Sequence, residues 1–167
     1  MINGTPPRWT ISPQPHRPRW SEVAAPQVLS GLGPCDPVIY ASELAVKKGG
    51  VVVLITPCPE GISPSHPEVL ELGYQTFDEV NQKVYKGMIQ KLTVAAHLVH
   101  VGRVIKERAR GILVCPGISK METEKLGFLY AREPQEALEI AFSLTGCDAK
   151  VAVLQRGGEI LPAIRNM

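Results

Sequence analysis

Charge of one sign is what this sequence most plainly lacks. Eighteen Lys and Arg stand against sixteen Asp and Glu, a net charge of +2 over 167 residues. The basic residues are interleaved with acids rather than gathered in a patch, so a nucleic-acid partner is not expected. Long apolar runs are missing as well, and none approaches a membrane span. Met1 to Trp20 has no continuous apolar core and does not read as a secretory signal. The expected compartment is therefore the cytoplasm, with thiols kept reduced. Cys35, Cys58, Cys115 and Cys147 form no C-x-x-C pair, which argues against zinc. No G-x-G-x-x-G follows a strand pattern, and there is no Walker A loop and no G-x-S-x-G elbow. No pair of carboxylates falls into acid and base roles by spacing.

What is present is an ordinary globular composition, 44% apolar and 20% charged. The length suits one domain with a tail. A domain of this size buries roughly two-thirds of its unfolded surface. Eight of the fifteen prolines fall between Pro6 and Pro37, with Trp9, Trp20 and several arginines scattered among them without a period. Proline removes a donor and disfavours helix in the residue before it. Residues 1–37 read as an irregular, disordered arm, and 38–167 as an α/β domain.

The domain is organised around Lys47 to Gly61, KKGGVVVLITPCPEG. The run Val51 to Ile55 has no charge and is bounded by Gly and Pro, the pattern of a strand buried on both faces. Before it, Val38 to Lys48 suits a short helix with Lys47 and Lys48 in its last turn, where cations complement the dipole. Ser65 to Glu68 has the form of a capping box, as do Thr76 to Glu79 and Ser119 to Glu122. Met88, Ile89, Leu92, Ala95, Ala96 and Val99 recur at helical spacing and predict a long helix reaching Ile105. His97 and His100 share a face of it, but no neighbouring acid or Cys completes a metal shell. Gly111 to Cys115 is a second strand pattern. Phe128 to Ala131 reads as a short strand, and Pro134 opens a helix that stops at Gly146. Lys150 to Leu154 reads as a third main strand, with an edge strand over Glu159 to Pro162. Strands alternating with helices predict a three-layer α/β fold, a mostly parallel sheet with helices on both faces.

Ligands of such sheets bind beyond the carboxyl ends of the strands. Both main strand patterns end in a Cys-Pro turn, which makes Thr56, Cys58, Glu60, Gly61, Cys115 and Ser119 the candidates for lining a cleft. A helix starting after Ser119 would offer its amino terminus to a small carboxylate. The competing reading is that the two turns are ordinary strand exits. Cys58 could act as a nucleophile if its thiolate were stabilised, yet no residue pattern identifies a base for it.

ASELAVKKGGVVVLITPCPEGIS, AAHLVHVGRVI, GILVCPGIS, KLGFLYAREPQEALEIA and DAKVAVLQRGGEILP occur in this order over about three-quarters of the chain. In these stretches, from Ala41 to Pro162, the sequence resembles the C-terminal domain of the nickel-dependent lactate racemases. The resemblance implies a two-domain 2-hydroxyacid racemase. In that family a nickel pincer nucleotide, tethered to a lysine, works with two proton-transferring histidines in an N-terminal domain. No cofactor is expected on this chain itself. The family also carries a Tyr-Gln-x-x-Lys stretch that contacts substrate. Aligning on Tyr40 puts Ala41 and Leu44 in place of the Gln and Lys, so that site is not carried over. Three functions follow as expectations. The first is the C-terminal part of a racemase, completed by a separately encoded N-terminal domain and inactive alone. The second is a stand-alone small-molecule-binding or protein-interaction module without the chemistry. The third is an independent enzyme using Cys58.

Overall fold

The structure, a computed structural model, describes residues 36–63, 67–155, 157, 160 and 162. The element order is α1 (Asp36–Ala45), β1 (Gly50–Ile55), α2 (Pro67–Leu72), α3 (Phe77–Tyr85), α4 (Leu92–Gly102), a π-helical segment (Arg103–Arg108), β2 (Ala109–Val114), α5 (Lys120–Leu126), β3 (Leu129–Tyr130) and α6 (Pro134–Thr145). The arm reading of 1–37 lies outside the described residues, except that Asp36 and Pro37 open α1.

The three strands pair in the order β1-β2-β3, all parallel. Gly50 lies opposite Ala109 and Ile55 opposite Val114, so both carboxyl ends reach the same edge. Side chains alternate across the strands, and this alternation divides the core in two. Val52, Leu54 and Leu113 pack with Ile39, Val69, Val80, Leu98, Val101 and Leu126, from α1 to α5. Ile112 and Val114, with Val51 and Val53, pack against Ala137, Ile140 and Ala141 of α6. Helices therefore cover both faces of a parallel sheet, the expected three-layer α/β fold.

Several local readings change. β1 is not buried on both faces: Val51 and Val53 are half-buried and Ile55 is exposed. It lies at one side of the described sheet, and β2, its central strand, takes the fully covered position. α1 ends at Ala45, so Lys47 and Lys48 fall beyond its last turn, in the approach to Gly50. The helix expected from Met88 begins at Leu92. Gly87 has φ 70, and the amides of Gly87 and Met88 donate to Val84 and Lys83, a Schellman stop that ends α3 and forces a loop. Beyond Gly102 the chain continues as a π segment, not as α-helix to Ile105. Residues 150–154 join no strand, and Val151 and Val153 are exposed. An apolar alternation needs a partner edge before it is a strand, and here none is paired to it. Ser65, and Glu159 and Leu161 of the expected edge strand, lie outside the described residues. The capping boxes at Thr76 and Ser119 are both formed.

Candidate functional site

β1 and β2 deliver the two Cys-Pro turns side by side. The Thr56 amide donates to the Val114 carbonyl at 3.1 Å, extending the ladder one residue past β1. The Gly117 amide donates to the Pro57 carbonyl at 3.2 Å. A Cβ built on Gly117 would fall on the carbonyl oxygen of Cys58, so only glycine permits this approach. Gly61, with φ 71, turns the first loop back and donates to Cys58 at 2.9 Å. Two backbone bonds thus join the loops directly.

Of the six candidates, Thr56, Cys58 and Cys115 are buried, Gly61 is half-buried, and Glu60 and Ser119 are exposed. The Thr56 hydroxyl lies 3.4 Å from the Cys58 sulfur. Cys58 has φ 32, a left-handed conformation that non-glycine residues seldom adopt. Interaction with the Cys58 thiol and burial push the Cys115 thiol far above its ordinary range, against the smaller pull of the Gly117 and Ile118 amides toward the thiolate. Such a thiol stays protonated at neutral pH and cannot serve as a base for Cys58.

Ser119 is engaged within its own helix. Its amide donates to Glu122 Oε2 at 2.9 Å and its hydroxyl to the same atom at 2.6 Å, while the Glu122 amide donates back at 3.3 Å. The anionic group at this helix end is the chain's own Glu122 carboxylate. What the edge shows to solvent is Pro57, Pro59, Glu60, Pro116, Gly117 and Ser119.

The larger depression, about 300 Å³, opens at the amino ends of β1 and β2, among Lys48, Lys106, Arg108 and Arg110. A second, about 180 Å³, lies at Gln75, Glu79, Lys83 and Lys86. Both are away from the Cys-Pro turns. Among the described residues no group of three or more His, Cys, Asp or Glu could hold a metal ion. None of their helices is long and apolar enough to cross a membrane.

A polar seam that the sequence did not announce joins α1 to α4 and to the π-helical segment after it. Tyr40 Oη lies 2.6 Å from His100 Nδ1, with ring centroids 4.2 Å apart. Arg103 donates to Glu43 at 2.6 Å. The 60-residue separation of each pair hid it from any local pattern. His97 instead meets the Tyr74 ring at 5.9 Å, so the two histidines serve different contacts. Ala41 is buried and Leu44 is exposed.

No protein-family profile matches this sequence, and no curated protein is similar to it at a significant level. Among solved structures, the chain is similar to the lactate racemase apoprotein from Thermoanaerobacterium thermosaccharolyticum. The TM-score is 0.65 at 21% identity, covering 84% of this chain and 33% of that one. The chain thus shares the fold of part of that protein and spans a third of its length.

Proposed function

We propose that this chain works as the C-terminal-type domain of a lactate or 2-hydroxyacid racemase-like protein. In this reading it completes a substrate cleft with a separately encoded N-terminal domain that carries the nickel cofactor, and it is inactive alone. The observation that supports the reading is the fold shared with a lactate racemase over 84% of the chain.

The described residues do not fit the cofactor. They offer no group of three or more His, Cys, Asp or Glu that could hold nickel. The contribution of this chain is a wall. The carboxyl edge of a covered parallel sheet is where ligands of such folds sit. Here that edge presents backbone-stapled turns whose conformation is set before any partner arrives. Glu60 and the exposed prolines would face the partner domain, and a small carboxylate substrate would lie between the two.

The test is to mix the purified chain with an N-terminal racemase domain loaded with the nickel cofactor and follow L- to D-lactate conversion. Conversion in the mixture and not in either component supports the proposal. Conversion by this chain alone, or no association and no gain on mixing, overturns it. Lactate binding by the isolated chain, undiminished by the partner, would favour the stand-alone binding module instead.

A further inference from the structure

The depression of about 300 Å³ lies at the amino ends of β1 and β2, the edge opposite the Cys-Pro turns. Its size is at the lower end for small-ligand pockets. Lys48 reaches it from the turn before β1, Arg108 from the last residue of the π-helical segment, and Arg110 from β2. Lys106 and Glu107 also line it, but their charged ends are engaged at α3. Lys106 Nζ lies 3.9 Å from Glu79 Oε2, and Glu107 Oε1 accepts from the Phe77 amide at 2.8 Å. Lys48, Arg108 and Arg110 have no acidic partner among the described residues. The nearby backbone acceptors are already taken. The Gly49 amide donates to the Arg108 carbonyl at 2.7 Å, and the Gly50 amide to the Lys47 carbonyl at 3.0 Å. At the end of α6, Ser143, Thr145 and Gly146 donate to the carbonyls of Ile140, Ala141 and Phe142. Arg108 is half-buried, and its Nε donates to the Val46 carbonyl at 3.1 Å. That bond fixes the guanidinium plane and leaves the terminal nitrogens free to donate elsewhere. π-Helical turns such as the one Arg108 ends are rare and are frequent at functional sites.

We propose that this depression binds a small organic diphosphate. The inference rests on the amino edge of the sheet and is independent of the racemase reading. Three cations without acidic partners converge on one small cavity, and their mutual repulsion is relieved by an anion of matching charge. A single phosphoryl group carries about −1.5 to −2 near neutral pH, less than the three cations supply. Two linked phosphoryl groups carry more and fit them better. The planar forks of Arg108 and Arg110 suit phosphoryl oxygens, and Lys48 adds a point charge. The organic part has its own wall. Val51 stands opposite Arg110 in the sheet, and the exposed Leu144 of α6 lines the same depression. The site leaves the carboxyl edge of the sheet untouched, so both edges can be occupied at once.

The experiment is calorimetric titration of the full chain at constant ionic strength with four probes: a short alkyl diphosphate, inorganic diphosphate, inorganic phosphate and sulfate. The expected result is saturable binding of one alkyl diphosphate per chain, with weaker binding of inorganic diphosphate and weaker still of phosphate and sulfate. Lys48→Gln with Arg110→Gln removes two of the three cations at exposed positions. This variant should keep the parent's unfolding temperature and bind the alkyl diphosphate at least about tenfold more weakly. Lys48→Gln alone, in an exposed turn, should already weaken it. Lys86→Gln, at the other depression, should bind as the parent does. The proposal is overturned if the alkyl diphosphate shows no saturable binding, or if the double variant binds it as tightly as the parent. Sulfate binding as tight as diphosphate binding would reveal unspecific ion pairing and overturn it too. Inorganic diphosphate binding as tight as the alkyl ester would remove the organic part of the claim.

Discussion

Ser119 and Glu122 show how single residues set the local order of the carboxyl edge. Ser119 accepts from the third amide of α5, and Glu122 returns the bond to the Ser119 amide. The Ser119 hydroxyl, then its amide, hold the Glu122 carboxyl below its usual value. At Glu79 the Thr76 amide has the larger effect and the Thr76 hydroxyl a smaller one, in the same direction. Both folded-state values lie below the unfolded ones. The stability these boxes contribute is therefore present above the ordinary carboxylate value of 4.5 and is lost as pH falls through the depressed values. Ser119→Ala should cost about 1 kcal/mol at neutral pH by urea denaturation. The difference between this variant and the parent should shrink as pH drops below the carboxylate range. A constant difference down to acid pH would mean that the carboxylate half of the box contributes nothing.

At the scale of the element, α4 and the turn before α3 are joined through one glycine. A Cβ on Gly102 would fall on the carbonyl of Gln75, and the Gln75 amide donates to Leu98 at 3.3 Å. The helix can lie against this backbone only because position 102 has no side chain. Gly102→Ala would improve helix propensity in an isolated peptide. In the folded chain it should destabilise by about 1–3 kcal/mol, the usual cost of overpacking a site that cannot yield. Equal or greater thermal stability of the variant would show that the 73–75 segment yields freely. The two Schellman stops belong at this scale too. Gly127, with φ 95, ends α5 with Phe128 donating to Thr123, as Gly87 ends α3. Gly127 was legible as a stop, because it follows an obvious capping box by one short helix. Gly87 was not, since the apolar spacing of Met88, Ile89 and Leu92 imitates a helix that begins earlier.

For the whole molecule, the sheet decides which apolar residues matter. Leu98 is fully buried beneath it, whereas Val153 is 71% exposed although its neighbours alternate like a strand. Leu98→Ala should cost about 2–5 kcal/mol. Val153→Lys should change stability by no more than about 0.5 kcal/mol, as an exposed site outside any ladder does. A loss at Val153 comparable to that at Leu98 would mean that residues 150–154 are packed into the sheet after all. The proposed racemase partnership belongs to this scale as well, because the edge formed by β1 and β2 is shaped by both strands and by neither alone.

Unaided, the amino-acid order determined what depends on nearest neighbours. Val51 to Ile55 and Gly111 to Val114 are strands because a short, unbroken apolar run between glycine and proline has few other solutions. Thr76, Ser119 and Pro134 start helices through contacts no more than a few residues long. Parallel pairing then followed from the alternation of strands with helices. Only the tertiary structure decided what depends on partners far away in the chain. It made β2 and not β1 the covered strand, and left 150–154 without an edge to join. It set Tyr40 on His100 and Glu43 on Arg103, and it closed the two Cys-Pro turns on each other until the Gly117 amide met the Pro57 carbonyl. Each of these is a meeting of segments dozens of residues apart. Such meetings depend on how the helices fill the two faces of the sheet, and local periodicity carries no record of that.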